Sequence, residues 1–394
     1  MTAVLEGIRV LDFGRYIAGP YCATLLADMG ADVVRIERLE GGEDRYIASV
    51  CASGEGGSFM QTGRNKRGFT LDPMTAEGRE VTARLVASAD VVVANLPAST
   101  LQAMSIDYET LCRHKPDIIL THISAFGSAG PYADRVGFDL MGQGMSGAAY
   151  LSGDERGPVR SQMNFVDFST AVFAAYGTLA ALMARAKTGR GQIVEASLFS
   201  SALTIANNFL IEESVLKKDR KPQGNRGHHI APNDIFATRD GWIVVMIAGN
   251  PMFARWSKLM GETHWLEDPR YASDLSRADH GREISERMAR WCADRTTAEA
   301  IGELEAARLP AGPLYKPAEV LTDPQVLARE MFKYVDYPGS PSPAPLAETP
   351  VRLSDTPGTI RNRAPLLGEH TDEILASLGY SATEIAGLRG RRAV

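Results

Sequence analysis

One carboxylate stands where charge is otherwise scarce. In Ser161-Gln-Met-Asn-Phe-Val-Asp167-Phe-Ser-Thr-Ala-Val-Phe-Ala-Ala-Tyr-Gly177, Asp167 opens a run of small and apolar residues that carries no charge until Arg185. A surface helix alternates apolar and charged faces, so this one is predicted to be buried on most sides. A carboxylate at the mouth of such a helix is either an N-terminal cap, worth about 1 kcal/mol, or a poorly solvated nucleophile or base. Periodicity leaves both readings open. The other chemistry-bearing residues form no familiar constellation. Cys22, Cys51, Cys112 and Cys292 are far apart without a C-x-x-C pair, so they read as small apolar residues rather than a disulfide framework or zinc site. His228 and His229 are adjacent and cannot face one metal from a regular helix. No metal is expected.

The elements that must hold Asp167 follow from the preceding pattern. Ile8 to Phe13 reads as a strand, Ala18 to Gly30 as a helix closed by glycine, and Asp32 to Glu37 as a second strand. That is the opening of a right-handed, doubly wound parallel sheet. Glu37 sits where a dinucleotide enzyme holds a ribose hydroxyl. The first turn, Phe13-Gly-Arg-Tyr-Ile-Ala-Gly19-Pro20, is not G-x-G-x-x-G, and Arg15, Tyr16 and Ile17 fill the room a pyrophosphate needs. The sheet is therefore Rossmann-like without a nicotinamide site. The pattern recurs in a helix from Ala76 to Ala87 and strands from Ala89 to Asn95 and Asp117 to Ile123. The basic cluster Arg64-Asn-Lys-Arg67 precedes a strand from Gly68 to Asp72 and reads either as a phosphate grip or as a solvated loop. A glycine-rich tract follows from Ala125 to Pro131 and Gly137 to Gly147, suited to close approach of a ligand and to amide donors for an oxyanion.

At 394 residues the chain is too long for one ordinary core. A charged, proline-punctuated segment, Lys217-Lys-Asp-Arg-Lys-Pro222, marks the boundary. The expected division is a large domain over 1–216, a linker over 217–230, a small α+β domain over 231–316, and a return linker with the rest of the large domain over 317–394. The small domain opens on a hairpin about Arg239-Asp-Gly241, with Trp256, Trp265 and Trp291 as core fillers. A net charge of −6 with no dense Lys/Arg run argues against nucleic acid. No apolar run is read as membrane-spanning, and the first seven residues show no leader, so a cytoplasmic protein is expected.

Several segments together resemble the family III CoA-transferases, whose sister branch is α-methylacyl-CoA racemase. They are Leu11-Asp-Phe with Ala18-Gly-Pro20, Leu26-Ala-Asp-Met-Gly-Ala-Asp-Val33 with Ile36-Glu-Arg38, Lys187-Thr-Gly-Arg-Gly-Gln192, Pro310-Ala-Gly-Pro313 and Ala364-Pro-Leu-Leu-Gly-Glu-His-Thr371. The resemblance implies that Asp167 is the catalytic carboxylate, forming an aspartyl–acyl anhydride and then an aspartyl-CoA thioester. It implies CoA contacts at Ile17, Ala18, Arg38, Leu71, Asp72, Pro73, Met74, Asn95, Leu96, Gly137, Phe138 and Asp139. It further implies no permanently bound cofactor, an acyl-CoA and a small carboxylic acid as substrates, and an interlocked homodimer whose active site lies between the large domain of one chain and the small domain of the other. Two basic positions common in the family are Pro97 and Ala103 here, so the phosphates are expected to lean on Arg38 and on Arg64, Lys66 or Arg67.

The racemase branch needs a histidine where this chain has Phe138 and a glutamate where it has Asn250, so two-base proton transfer is disfavoured and acyl transfer is preferred. His122 and His229 are the substitutes a racemase reading requires. An idle CoA-binding protein and an NAD oxidoreductase are the remaining classes. Arg226, His228 and His229 are candidates to meet a second carboxylate on the acceptor.

Overall fold

Successive side chains of a strand point to opposite faces, and the strands of this chain are apolar on both, which demands a helical layer on each side. The computed structural model describes residues 3–394, so the first two residues of the domain expected over 1–216 lie outside it. Strands β1 (Arg9–Asp12), β2 (Asp32–Glu37), β3 (Lys66–Thr70), β4 (Val91–Ala94), β5 (Ile119–Ser124) and β6 (Ile193–Ser197) form one parallel sheet in the order β3-β2-β1-β4-β5-β6. Between them run α1 (Ala18–Asp28), α2 (Gly57–Gly63), α3 (Ala76–Ala87), α4 (Ala98–Ala103), α5 (Tyr108–His114), α6 (Asp139–Met145), α7 (Ala148–Leu151) and α8 (Phe165–Thr188), and α9 (Leu198–Leu216) follows β6. The alternation sends Val10, Val33 and Val91 into a core with α1 and α8, and Leu11, Val34 and Val92 into a second core with α3, α5 and two C-terminal helices, Thr371–Ser377 and Ala382–Gly390.

The chain divides into two compact units. The first comprises the residues up to Ser146, Ser161–Asn207 and Arg329–Val394; the second comprises Gly147–Arg160 and Asn208–Ala328. The division differs from the one expected from composition. It falls inside α9 rather than at Lys217, and Gly147–Arg160 leaves the large domain. The reason is that the end of α9 and the charged segment beyond it form one structure. Glu212 accepts from Arg220 at 2.6 Å and pairs with His229 at 3.2 Å, while Phe209 packs on both His228 and His229. The second unit holds an antiparallel sheet of β7 (Asn233–Ala237), β8 (Trp242–Met246) and β9 (Ala311–Pro313), with Trp256, Trp265 and Trp291 in its core.

Two expectations are corrected. The cluster Arg64 to Arg67 does not stand ahead of a strand, because Lys66 and Arg67 begin β3. Arg64 is fully buried and bonds Asp28 at 2.7 Å; Lys66 bonds Asp12 at 2.8 Å and the Pro20 carbonyl at 2.7 Å; Arg67 pairs with Asp32 at 2.7 Å and Glu373 at 3.0 Å. Burial alone raises Asp12, but Lys66 and Arg35 outweigh it and hold the carboxyl below its usual range. Arg64 and Lys66 neutralise buried carboxylates and Arg67 bridges two carboxylates nearer the surface, which is why the cluster does not read as a phosphate grip.

The second correction concerns α8. Only one of its faces is buried, through Val166, Asp167, Thr170, Ala171, Ala174, Ala175, Thr178 and Ala181. Val172, Phe173, Tyr176 and Met183 are exposed, so the lack of charge reflects an apolar outer face and not burial all round. By length and composition α8 is also apolar enough to cross a membrane, contrary to the reading that no run was. Its inner face instead packs with α1 and the sheet, where Phe168 meets Tyr21 with ring centroids 4.8 Å apart.

Candidate active site

In a parallel sheet of this order the crevice opens where the crossovers part, outside the carboxyl ends of β1 and β4. A cavity of about 410 Å³ lies there. Its wall is built from Arg15, Tyr16, Ile17 and Ala18 after β1, Asn95 to Ser99 after β4, and His122 to Ala125 at the end of β5. Ala133 to Phe138 before α6, and Asp167 in α8, also line it.

The turn after β1 is held rigidly. The Asn95 side chain accepts from the Arg15 amide at 2.6 Å and donates to the Arg15 carbonyl at 2.8 Å. Tyr16 takes a left-handed φ of 61°, costly for a tyrosine, and its ring meets Phe138 edge-on with centroids 5.3 Å apart. Gly19 explains part of the Ala-Gly-Pro signature, since a Cβ there would lie 3.0 Å from the Asn95 amide oxygen. The Arg15 guanidinium reaches the carbonyls of Gly14 at 3.0 Å and Ile36 at 3.2 Å. Burial, and then the like charge of Arg35, push it below its ordinary value. Glu37, the imagined ribose ligand, is buried against Arg45.

Asp167 is not the cap of its helix. It is the third residue of α8, behind an N-terminal Asn164 that makes no side-chain cap bond. The open amides are taken by Asp139 of α6, whose Oδ2 accepts from Val166 at 2.8 Å and Asp167 at 3.1 Å. Gln143 extends this support by bonding Asp139 and accepting from the Ser161 amide at 2.9 Å. Close packing of α6 on α8 requires Gly142, where a Cβ would lie 2.7 Å from Val166 Cγ1. The capping reading therefore passes from Asp167 to Asp139, and the Asp167 carboxylate is left facing the cavity.

Its environment is unusual for an aspartate. Burial first, and the Asp139 charge second, push its pKa up to about 7, with only the Asn164 amide opposing them and no cation among the causes. A group raised in this way favours the proton in the native state. The resulting stability is fully present below the unfolded value of 3.8 and is lost as pH rises through about 7. Asp167→Asn, which keeps the shape without the charge, is expected to stabilise the fold by about 4 kcal/mol at pH 8. The gain fades below pH 4, and urea unfolding at the two pH values measures it.

The structure gathers Asp167, Ile17, Ala18, Asn95, Leu96, Gly137 and Phe138 into one cavity wall. It separates from them the other residues assigned as CoA contacts. Arg38 pairs with Glu43 at the surface, beyond the end of β2. Leu71 is buried in a core, Asp72 accepts from the Met74 amide at 2.9 Å, Pro73 is buried and Met74 is exposed, all beyond the end of β3. Asp139 is spent on the amides of α8. All but Asp139 remain on the carboxyl edge of the same sheet. Sequence reasoning overlooked Arg135, and it read Arg15 as an obstruction when it forms the wall. The signal for Arg15 was present in its place directly after β1.

His122 lines the cavity with Nε2 2.9 Å from the Leu96 carbonyl, an acceptor only, so Nε2 carries the proton. Asn250 in the second unit donates to the Ala272 carbonyl at 3.1 Å and accepts from Arg277 at 3.0 Å. Among the described residues no cluster suited to a metal occurs.

The arrangement is that of a buried, uncompensated carboxylate in a cleft, fit for nucleophilic attack on an electrophilic carbonyl. The model of CoA-transferase family III matches residues 5–371. The chain is 33% identical over 399 residues to the succinyl-CoA–L-malate CoA-transferase beta subunit of Chloroflexus aurantiacus, covering 100% of this chain and 98% of that one. It is 35% identical over 389 residues to the succinyl-CoA:mesaconate CoA-transferase of Haloarcula hispanica, covering 95% and 96%. The crystal structure of a CAIB/BAIF family protein from Brucella suis superposes with a TM-score of 0.84 at 32% identity, covering 96% and 100%. Matches in sequence and structure over nearly the whole length agree with the site, and the chain belongs to CoA-transferase family III.

Proposed function

We propose that this enzyme moves CoA from succinyl-CoA to a small dicarboxylate, with Asp167 as the covalent carrier. The observation that carries the reading is the Asp167 carboxylate, which lines the cavity, is buried and has no cation acting on it among the described residues. Desolvation raises the nucleophilicity of the fraction that is ionised. Attack on the donor thioester breaks its C–S bond, releases CoA thiolate and forms an anhydride. The thiolate then attacks the aspartyl carbonyl, frees the donor acid and leaves an aspartyl-CoA thioester. The acceptor carboxylate opens that thioester to a second anhydride. Thiolate attack on the new acyl carbonyl restores Asp167. No net proton is gained or lost.

The dicarboxylate is supported by the succinyl, malate and mesaconate names of the relatives. The proposed CoA path runs along the carboxyl edge of the sheet, from Asp167 past Ile17, Ala18, Asn95, Leu96, Gly137 and Phe138 toward Arg38 and Leu71 to Met74. Asp139 enters the reaction through Asp167 rather than by touching CoA. A second copy of the chain is the natural cover for Val172, Phe173, Tyr176 and Met183 on α8 and for Ile211, Val215 and Leu216 on α9, all apolar and exposed. Of the residues named for a second carboxylate, His229 is engaged with Glu212, and His228 with Gln223 at 3.0 Å, which leaves Arg226.

Racemisation is disfavoured because Phe138 cannot carry a proton and both ends of Asn250 are occupied. Incubation with succinyl-CoA and a panel of carboxylic acids, read by mass spectrometry, is expected to yield new CoA thioesters of small dicarboxylic acids. A 2-methylacyl-CoA kept in deuterium oxide is expected to gain no α-deuterium. Wash-in of deuterium without any CoA exchange would replace this reading with the racemase.

A further inference from the structure

The phosphates of coenzyme A need cations, and three of the four expected to supply them are engaged elsewhere. Arg64, Lys66 and Arg67 are paired with Asp28, Asp12 and Asp32. Arg38 pairs with Glu43 only in the open and stays available at the outer end of the path, while Pro97 and Ala103 carry no charge. The cavity wall nevertheless contains two guanidinium groups, Arg15 and Arg135.

Among the described residues Arg15 makes its hydrogen bonds through Nη1 alone, to the carbonyls of Phe13 at 3.4 Å, Gly14 at 3.0 Å and Ile36 at 3.2 Å, and Asp44, Glu37 and Asp12 stand near enough to offset part of its charge. Those bonds fix one limb of the fork and leave Nε and Nη2 for an incoming oxyanion. Arg135 lies over the Tyr132 ring at 4.0 Å, exposed on the wall contributed by the glycine-rich tract. A planar fork held this way matches phosphate geometry with little ordering left to do. The two ends of the cavity also differ. Arg15 touches the carboxyl end of β2, whereas Asp167 belongs to α8, packed in the core with α1 and β5. Among the described residues no cation acts on the Asp167 carboxyl, so the guanidinium is set apart from the reacting group.

We propose that Arg15 and Arg135 hold phosphate groups of coenzyme A, in place of the cations missing at Pro97 and Ala103. The proposal rests on the family's use of CoA thioesters, and wild-type exchange in the same assay is the control for that reading.

The test compares succinyl-CoA, succinyl-dephospho-CoA and succinyl-pantetheine as donors for wild type, Arg15→Gln and Arg135→Gln. Loss of one charge-assisted contact is expected to lower kcat/KM for succinyl-CoA by about 10- to 100-fold. The value for succinyl-pantetheine, which has no phosphate, should stay within about 2-fold, the scatter expected of an uninvolved contact. A loss that persists with dephospho-CoA assigns the residue to the pyrophosphate; one that vanishes assigns it to the 3′-phosphate. An equal loss on all three donors from either variant would overturn the proposal, because it describes a turn that merely needs Arg15 or a loop that needs Arg135. So would a loss seen with succinyl-CoA and absent with acetyl-CoA, which marks recognition of the acyl carboxylate. Should Arg15→Gln fail to fold, Arg135→Gln at its exposed position decides the matter, and no selective loss there overturns the proposal.

Discussion

Replacing Asp167 by alanine or asparagine is expected to lower CoA exchange by at least about 10⁴-fold, since the proposed covalent carrier is gone. The fold should survive both changes. The amides at the start of α8 are bonded by Asp139, not by Asp167, so no cap is lost. The asparagine variant should even resist urea better than wild type at pH 8, because an ionised carboxylate pushed up to about 7 is a burden on the native state. Dead and more stable is the outcome that distinguishes a nucleophile from a structural acid. A capping aspartate predicts the reverse pattern, with activity retained and stability reduced by about 1 kcal/mol. Exchange assays on the purified variants, alongside urea titrations, read both quantities.

The second large effect concerns Asp139. It does two things to its neighbour: it fixes the start of α8 through two amide bonds, and its charge raises the Asp167 pKa. Asparagine and alanine separate these roles. Asp139→Asn keeps an oxygen for the amides and removes the charge, so the acidic limb of kcat/KM should move down from about 7. The expected shift is roughly one unit, a typical value for the loss of a close like charge. The variant is then relatively more active at pH 6 than at pH 8. Asp139→Ala removes the oxygen too and leaves two buried amides without an acceptor, a loss of about 2–4 kcal/mol in stability. Its activity should fall about 10- to 100-fold at every pH through misplacement of Asp167. An Asp139→Asn profile with the same acidic limb as wild type would mean that burial alone sets the Asp167 pKa.

These two carboxylates show where sequence reading succeeds and where it stops. The parallel sheet was legible because alternation along β1, β2 and β4 fills two cores at once, and the observed bounds of β2 and α3 are those expected. Asp167 was legible because a charge in an uncharged helix is conspicuous. Its partner was not. Asp139 comes from a short glycine-rich helix whose pattern carries no signal, and the packing of Gly142 on Val166 with the bonds of Gln143 brings it to α8. The misreading of Arg64 and Lys66 has a similar origin. A basic cluster looks the same in sequence whether it faces solvent or neutralises Asp28 and Asp12 inside the sheet. The exposed side of α8 misled in the other direction, because an exposed apolar face has the composition of a buried one.

Trapping the carrier tests the central claim most directly. The enzyme is mixed with succinyl-CoA in the absence of an acceptor, quenched in acid, digested and examined by mass spectrometry. The account predicts a peptide containing Asp167 that is heavier by CoA less one water, converted by hydroxylamine to the hydroxamate and absent from Asp167→Asn. Full exchange activity in a protein that never carries CoA on Asp167, or an adduct formed on another residue, would contradict it.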